Sequence, residues 1–400
     1  MPTILQINST ANWGSTGRIA EQINNLACSK GWDCYIAYGR YKNLSSSKLI
    51  KVGKSFDVYF HYFINRAFDN EGLGSRCATK RLIRQIKEIN PDIIHLHNIH
   101  DHWLNYQLLF EFLNSIDTPI VWTQHDCWAF TGGCPHYSLN NCQKWQVECK
   151  DCSFSKNLVD HSQQQFNLRK KLFLANRNLT IVPVSSWLAD EVRKSFLNVL
   201  NIKPIFNGVD VDLFKPQNNT NLVGKYGLEN KYILLALATS WSKSKGFDDY
   251  IALSKIIPED CVLVLVGVSP KIKESLPPNI LGIPRTHDLL ELVELYSMAD
   301  IVLNLSYQET FGLTTVEGMA CGTPSIVYNS TASPELLTPD TGVVVQSGDV
   351  DGVLKAINYI RNLGKEYFFN SCRKRAVEVY NKNLCYENYV QLYEQLLASK

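Results

Sequence analysis

Two glutamates, Glu309 and Glu317, stand eight positions apart in a stretch whose residue types suit a nucleotide diphosphate. The apolar run Ile301–Leu305 before them predicts a short buried strand, and Gly312 predicts a tight turn. Thr314–Gly322 then has the pattern of a helix with Thr314 as its cap. A helix N-terminus offers unpaired backbone N–H groups and a partial positive charge, which suit a diphosphate. A carboxylate in the first helical turn can accept hydrogen bonds from a ribose diol.

The spacing of Thr314 and Glu317 is also that of a capping box, in which the two side chains close the helix N-terminus reciprocally. Spacing alone therefore leaves two interpretations of Glu317 open, a ligand site and a helix cap.

The longer string around these residues resembles a known family. Glu309–Leu313, Glu317 and Ala320–Pro324 closely resemble the donor-site signature of family 4 of the retaining glycosyltransferases. Members have the GT-B fold and use nucleotide-activated sugars. The resemblance implies that Glu309 contacts the donor sugar, that Glu317 contacts the ribose, and that the diphosphate needs no metal ion.

A lysine follows the first strand of the second half, Tyr232–Ala238. Lys245 could point into the crevice where open sheets bind ligands, or it could be an ordinary surface charge. Lys245-Gly-Phe resembles the family's diphosphate-binding lysine. Family members commonly have an arginine five residues earlier, where this chain has Ser240. We therefore expect Lys243, Arg285 or Arg18 to assist Lys245.

The glycines Gly14 and Gly17 follow the first strand, and they either let backbone amides approach a ligand or form a simple turn.

The resemblance implies that the loop before Asp288 holds the nucleotide base by backbone contacts, and His287 or Asp288 is expected to cap the next helix. The expected donor-binding residues are Gly14, Gly17, Ser240, Lys243, Lys245, Gly267, Arg285, Thr286, Glu309, Thr310, Phe311, Gly312, Leu313, Thr314 and Glu317.

Histidines end two neighbouring strands of the first half, at His97 and His125. A single histidine is more often a packed residue than a functional one. Thr123-Gln-His125 nevertheless resembles the family position that meets the transferred sugar. We expect His125, Lys245 and Glu309 to be the catalytic residues. The expected acceptor-side residues are Arg18, His97, Asn98, His102 and Asp126.

Four cysteines, Cys134, Cys142, Cys149 and Cys152, have spacing that suits a tetrahedral structural zinc, and His136 could replace one of them. The alternative is four reduced buried thiols, because disulfides are rare in the cytosol. A subgroup of polysaccharide glycosyltransferases has a similar cysteine-rich insertion.

The wider pattern alternates strand-like and helix-like segments, which predicts α/β domains with parallel sheets. The predicted strands include Thr3–Asn8, Asp33–Tyr38, Ile120–Gln124, Cys261–Val266, Ser325–Tyr328 and Gly342–Val345, and a helix is predicted from about Arg18 to Lys30. The resemblance implies a GT-B fold, with two doubly wound, Rossmann-like domains facing a central cleft. We expect an acceptor-binding domain over 1–204, joined by a returning helix over 386–400, and a nucleotide-sugar domain over 205–385, with a linker near Ile205–Pro216.

Composition narrows the possible partners. The net charge of +2 gives no general attraction to nucleic acid, and the sequence contains no apolar run of membrane-spanning length. The first residues predict a strand and not a signal peptide, so we expect a cytoplasmic protein. The aromatic-rich Asp57–Phe68 precedes the basic Arg81–Lys87. It could contact the inner face of the membrane, or it could be a core helix.

The expected function is a retaining transfer from a UDP- or GDP-sugar to a glycan or polyprenyl-linked glycan. Two alternatives stay open, a nucleotide-sugar epimerase of the same fold and a non-catalytic sugar-nucleotide-binding or zinc-dependent interaction protein.

Overall fold

A computed structural model describes residues 1–152, 159–217, 221–286 and 288–399. The chain divides into two compact units. The first contains Met1–Phe206 and Cys385–Lys400, and the second contains Asn207–Leu384. Each is an α/β unit built on one parallel sheet.

The first unit has a seven-stranded sheet, whose central strands are short runs rich in buried β-branched and aliphatic side chains. They are β1 (Thr3–Asn8), β2 (Asp33–Tyr38), β3 (Lys48–Lys51), β4 (Ile93–Leu96), β5 (Ile120–Gln124), β6 (Leu179–Pro183) and β7 (Asn201–Ile202). Their order is β3-β2-β1-β4-β5-β6-β7, and all pairs are parallel. The order reverses between β1 and β4, as in a doubly wound sheet.

Helices connect these strands. They are α1 (Gly14–Ser29), α2 (Ser55–Phe68), α3 (Arg76–Ile89), α4 (Tyr106–Leu113), α5 (Ser162–Leu174) and α6 (Ser186–Lys194). The expected glycine loop is not a loop, because α1 begins at Gly14 and includes Gly17. A Cβ at Gly17 would lie 2.6 Å from the Thr10 hydroxyl oxygen. Gly17 therefore lets the first helical turn pack against the segment that follows β1.

The second unit has a six-stranded sheet of the same design. Its strands are β8 (Tyr232–Leu237), β9 (Cys261–Val266), β10 (Ile280–Ile283), β11 (Ile301–Asn304), β12 (Ser325–Tyr328) and β13 (Gly342–Val345). Their order is β10-β9-β8-β11-β12-β13, and all pairs are parallel. The helices are α7 (Leu222–Tyr226), α8 (Phe247–Ser254), α9 (Pro270–Lys273), α10 (Leu289–Met298), α11 (Leu313–Ala320), α12 (Val350–Leu363) and α13 (Lys365–Val379).

The segment expected to be a linker packs against the second unit. Arg373 donates hydrogen bonds to the carbonyl oxygens of Val211 and Phe214, both at 2.8 Å. Asp210 forms an ion pair with Lys382. A Cβ at Gly208 would lie 2.3 Å from the Cα of Lys382, so this position needs glycine.

The last helix, α14 (Lys382–Ala398), begins in the second unit and continues into the first. There, Tyr389 accepts a hydrogen bond from the Thr123 hydroxyl at 3.0 Å, and Tyr393 bonds to the His95 ring at 2.7 Å. Tyr393 also packs on Trp32, with ring centroids 5.6 Å apart. The aromatic face of α14 is therefore part of the core of the first unit.

Candidate active site

The order of the second sheet reverses between β8 and β11. In doubly wound sheets, the crevice outside the carboxyl ends of two such strands is the usual ligand site. The segment after β8 carries Lys245, and the segment after β11 carries Glu309. Two of the expected catalytic residues therefore lie at the point where this topology favours a ligand.

Lys245 and Glu309 form an ion pair. The Lys245 Nζ lies 2.7 Å from the Glu309 Oε1, and the two side chains are 33% and 18% exposed. The segments that carry them are joined by backbone, because the Tyr307 N–H donates to the Ser244 carbonyl at 2.9 Å. A Cβ at Gly246 would lie 2.2 Å from the Leu305 carbonyl oxygen, so glycine permits this close approach.

Helix α11 starts directly after this pair. Gly312 is its N-cap, with φ 102, a conformation that favours glycine. The helix begins at Leu313, so Thr314 lies inside its first turn. A capping box would need Thr314 as the N-cap, and the N-cap is Gly312. The capping-box interpretation of Thr314 and Glu317 is therefore wrong. The side chain of Phe311 is buried against Tyr380. A ligand could therefore contact Phe311 through its backbone N–H and not through its ring.

Glu317 lies almost buried on α11, where its Oε2 accepts a hydrogen bond from the Tyr296 hydroxyl at 2.8 Å. Tyr296 belongs to α10, and its carbonyl accepts from the Thr323 hydroxyl at 2.7 Å. This contact fixes one carboxylate oxygen of Glu317 and links α10 to α11.

The other expected donor residues lie on neighbouring loops. Gly267 follows β9 with φ 88, and a Cβ there would lie 1.9 Å from the Ala238 carbonyl oxygen. Ser240, Lys243 and Arg285 are exposed. The Thr286 hydroxyl accepts from the Asp288 N–H at 3.1 Å. Asp288 caps α10 through Leu290 N–H, and His287 lies outside the described residues.

In the first unit, His97 and His125 are brought together. The His97 Nδ1 lies 3.0 Å from the His125 Nε2, and the His97 Nε2 lies 2.5 Å from the Gln6 Oε1. The amide of Gln6 donates to the Ala20 carbonyl, which leaves Gln6 Oε1 as an acceptor. His97 then donates from Nε2 and accepts at Nδ1, so His125 donates from Nε2. The network assigns one tautomer to each ring.

Burial keeps both rings neutral. It lowers the pKa of His97 well below its ordinary value and lowers the pKa of His125 to about 4. His95 is different in its contacts, because its two ring nitrogens bond to Thr123 and to Tyr393 of α14. His95 is therefore a core residue.

The remaining acceptor-side candidates have protein contacts. The Asn98 N–H donates to the Asn8 side chain at 3.2 Å, and the Arg18 Nε donates to the Gly14 carbonyl at 3.3 Å. His102 has φ 65, and its Nε2 lies 2.9 Å from the Asn65 Nδ2. His102 therefore packs against α2.

The four cysteines of the insertion line one cavity of about 370 Å³ in the first unit, together with His136 and Glu71. The Cys134 thiol donates to the His136 carbonyl at 3.0 Å, and the Cys149 sulfur accepts from the Gly132 N–H at 3.2 Å. Burial raises the pKa of Cys134 to about 12 and that of Cys149 to about 11. These two groups are neutral thiols at pH 7.

The expected zinc is not supported. Over the described residues, which include all four cysteines, no group of three or more His, Cys, Asp or Glu side chains could hold a metal ion. Cys134, Cys142, Cys149 and Cys152 are free thiols in this structure. This agrees with the alternative of reduced thiols, whose sulfurs are satisfied by backbone groups at Cys134 and Cys149.

Two family models match the amino-acid sequence, one in each half of the chain. Residues 23–213 match the family model described as Glycosyltransferase Family 4, and residues 218–376 match the one described as Glycosyl transferases group 1. Both models describe glycosyltransferases, and together they cover most of the chain. The chain is a glycosyltransferase.

Curated relatives of this glycosyltransferase include N-acetyl-alpha-D-glucosaminyl L-malate synthase of Bacillus anthracis. It is 29% identical over 54% of this chain, and the match spans 58% of that relative's length. A putative colanic acid biosynthesis glycosyl transferase of Escherichia coli is 21% identical over 98% of this chain and 100% of its own length.

Solved structures confirm the GT-B fold of the glycosyltransferase. A glycosyltransferase from Rickettsia africae has a TM-score of 0.72 at 19% identity, covering 100% of this chain and 99% of that one. Anabaena HepE in complex with UDP-glucose has a TM-score of 0.66 at 15% identity, with 100% of both chains covered.

One residue of the glycosyltransferase was missed from the sequence. The His100 Nε2 lies 2.9 Å from the Asp126 Oδ2, and its Nδ1 lies 3.3 Å from the Asp101 Oδ1. Although burial opposes the charge, the two carboxylates raise the pKa of His100 well above its ordinary value. Asp126 also accepts from the Trp128 N–H at 2.8 Å. Both Asp126 oxygens are thus used by the protein. The sequence feature that could have indicated His100 is the run His97-Asn-Ile-His100-Asp101, where a histidine stands next to a carboxylate just after a strand.

Proposed function

We propose that the chain is a retaining glycosyltransferase, which moves a sugar from a nucleotide-sugar donor to a glycan or lipid-linked glycan acceptor. The observation that carries the proposal is the ion pair of Lys245 and Glu309, 2.7 Å apart, where the order of the second sheet reverses. A cation for the diphosphate and a carboxylate for the sugar hydroxyls are there side by side, next to the N-terminus of α11.

In this proposal the second unit binds the donor. The Lys245 ammonium has three donor hydrogens, so it can keep Glu309 and also bond to a diphosphate oxygen. The backbone N–H groups at the start of α11, over residues 311–314, add further donors and the positive end of the helix dipole. Glu317 keeps one oxygen on Tyr296 and offers the carboxylate to the ribose diol.

Transfer breaks the bond between the anomeric carbon and the diphosphate oxygen and forms the bond from the acceptor oxygen on the same face. The proton of the acceptor hydroxyl passes to the leaving phosphate oxygen, so no further co-reactant is needed. Lys245 and the amides of α11 stabilise the negative charge that builds on the leaving group. Glu309 orients the sugar hydroxyls and is not assigned the role of a nucleophile.

The first unit is proposed to bind the acceptor. His125, held by His97 as a neutral imidazole, is proposed to meet the transferred sugar. Arg18, Asn98, His102 and Asp126 stay acceptor-side proposals, with Asp126 acting through His100. A lipid-linked acceptor would place the enzyme at the inner face of the cell membrane.

The donor is proposed to be a UDP- or GDP-sugar. UDP-glucose bound to Anabaena HepE supports a uridine nucleotide, and a GDP-mannose-dependent mannosyltransferase of Mycobacterium tuberculosis, 26% identical over 49% of this chain, supports guanosine. No metal has a role in the proposed transfer. Structural zinc is not part of the proposal, because the cysteine cluster gives it no support.

The decisive experiment follows nucleotide release from donor sugars with and without candidate glycan acceptors, and determines the anomeric configuration of the product by NMR. We expect acceptor-dependent release and a product with the donor's configuration. An inverted product would refute the retaining assignment. Conversion of the donor to its epimer without an acceptor would refute the assignment of a transfer reaction to this site.

A further inference from the structure

Helix α2 has an aromatic face that points to solvent. Phe56, Tyr59, Phe60 and Phe63 are 75%, 74%, 54% and 67% exposed. Their spacing places them on one side of a helix, and the Phe56 and Phe60 rings stack with centroids 6.1 Å apart. The expectation of a core helix is therefore wrong for this face. His61, on the opposite side, is the buried residue of α2.

The neighbouring helix α3 has a basic face. Arg76, Lys80, Arg81, Arg84 and Lys87 are all exposed, whereas Ala78, Leu82 and Ile86 are buried. Five basic residues and Glu88 give this helix a net charge of +4. The whole chain carries +2, so the rest of it is net negative. Positive charge is concentrated on α3.

Side-chain contacts join α2 to the start of α3 and to Arg81. The His61 Nδ1 lies 3.0 Å from the hydroxyl oxygen of Ser75, the N-cap of α3. The His61 Nε2 accepts from the Gly74 N–H at 3.0 Å. Arg81 lies 3.9 Å from the Asp57 carboxylate. The helices that carry the aromatic face and the basic face are therefore neighbours in the first unit.

We propose that α2 and α3 form a surface that binds membranes containing anionic lipid. Aromatic side chains partition into the interface between headgroups and acyl chains, and lysine and arginine are attracted to anionic headgroups. None of the helices in the described part of the chain is long and apolar enough to cross a bilayer. In this proposal α2 and α3 therefore lie on the membrane surface.

The charge argues for a membrane over a second copy of this chain. A two-fold contact through this surface would place the +4 of one α3 near the +4 of another, and like charges repel. An anionic bilayer complements the same charge. The surface goes beyond the proposed function, because lipid binding by it requires neither a donor nor turnover.

The test measures binding of the full chain to vesicles of phosphatidylcholine alone and of phosphatidylcholine mixed with phosphatidylglycerol, by co-sedimentation. We expect binding to the anionic vesicles, weakened by salt because screening reduces the attraction. The double variant Lys80→Gln/Arg84→Gln should bind them about tenfold or more weakly, as expected for two basic residues near an anionic surface. Phe60→Ser/Phe63→Ser should also weaken binding.

Matched controls are Lys170→Gln/Lys171→Gln, exposed on α5, and Tyr359→Ser/Tyr367→Ser, exposed in the second unit. Neither should change vesicle binding, and circular dichroism should show all variants folded. The proposal is overturned if wild type ignores anionic vesicles. It is equally overturned if the α2 variant abolishes a concentration-dependent dimer, because the surface would then belong to a second copy. Nucleoside diphosphate binding, measured separately by calorimetry, tests the proposed function independently of either result.

Discussion

An ammonium and a carboxylate 2.7 Å apart balance each other's charge, and Lys245 and Glu309 do so in the second unit. Partial exposure leaves the ammonium accessible to a third group. A diphosphate that arrives here meets a cation already oriented by a neighbour, so little reorganisation is needed to receive it. Lys245 should therefore contribute mainly by stabilising the negative charge on the leaving diphosphate.

Lys245→Ala should lower the turnover of sugar transfer about 100-fold, comparable to the loss of one preorganised charge stabiliser. Lys243→Ala is the comparison: Lys243 is exposed two residues earlier and is expected only to assist Lys245, so its loss should lower turnover less. Steady-state kinetics with a donor and an acceptor measure both. If the two variants lose equal activity, the diphosphate is shared between the lysines.

Glu317→Gln should weaken the affinity for a nucleoside diphosphate about tenfold or more, since hydrogen bonds to a charged acceptor are the stronger ones. Tyr296→Phe removes the hydroxyl that holds Glu317 but keeps the carboxylate. That control should cost about 1 kcal/mol of unfolding free energy and leave most of the affinity. Calorimetry and urea unfolding measure the two effects. Equal affinity in wild type and Glu317→Gln would leave Glu317 a purely structural role.

His125→Ala should lower transfer while nucleoside diphosphate affinity stays unchanged, because His125 belongs to the first unit and the proposed nucleotide site to the second. Comparing turnover with calorimetric affinity in one preparation separates the two. Parallel loss of both would show that His125 supports the fold or the nucleotide site.

At this scale the sequence predicted residues that follow strand ends, such as Lys245 and Glu309, because apolar runs mark where strands stop. It did not predict His100, whose partner Asp126 lies 26 positions away. That contact depends on which strands are neighbours and on the length of the loops after them. Local spacing carries no such information.

At the scale of elements, buried strands were the most predictable features. β1, β2, β5, β9, β12 and β13 have the bounds expected from their apolar runs. The short strands β3, β7 and β10 were missed, since Lys48–Lys51 and Asn201–Ile202 have little apolar pattern of their own. The start of α1 was placed too late, because glycines that suggest a loop here lie in the first helical turn.

Gly267→Ala should destabilise the second unit strongly. Its φ of 88 is costly for alanine, and the new Cβ would meet the Ala238 carbonyl oxygen, which belongs to backbone and cannot move aside cheaply. Gly227→Ala is the matched control, because Gly227 has φ 64 with open space around its Cβ position. We expect a cost of about 1–2 kcal/mol for the control from backbone conformation alone, and a larger loss for Gly267→Ala in urea unfolding. Equal losses would show that β8 and β9 can separate at this point.

At the scale of the whole molecule, buried histidines link stability to pH. Burial lowers the pKa of His61 and His125 to about 4 and lowers those of His95 and His97 well below the ordinary value. Between about pH 6.5 and 4, the unfolded chain therefore binds protons that the folded chain does not. Stability should be fully present above about pH 6.5 and should fall as pH decreases.

Urea unfolding at pH 7 and pH 5.5 should show this loss. His61→Asn should reduce the loss by up to about 1.4 kcal/mol per pH unit in that range, which is the contribution of one proton. His100 acts in the opposite sense: its raised pKa stabilises the fold below about pH 6.5, and that stabilisation is lost only as pH rises through its folded pKa. An NMR titration that places the His61 pKa near its ordinary value would contradict the assignment.

Helix α14 imposes an order on protein synthesis. A ribosome makes all of residues 207–384, the second unit, before it reaches Tyr389 and Tyr393. Domains generally fold as they emerge, the first before the second. Here the first unit must wait with the ring of His95 and the hydroxyl of Thr123 uncovered, since their partners Tyr393 and Tyr389 are made last. The unit translated first is thus the unit completed last, and a nascent chain stalled within the second unit should display an unfinished first one to chaperones and proteases.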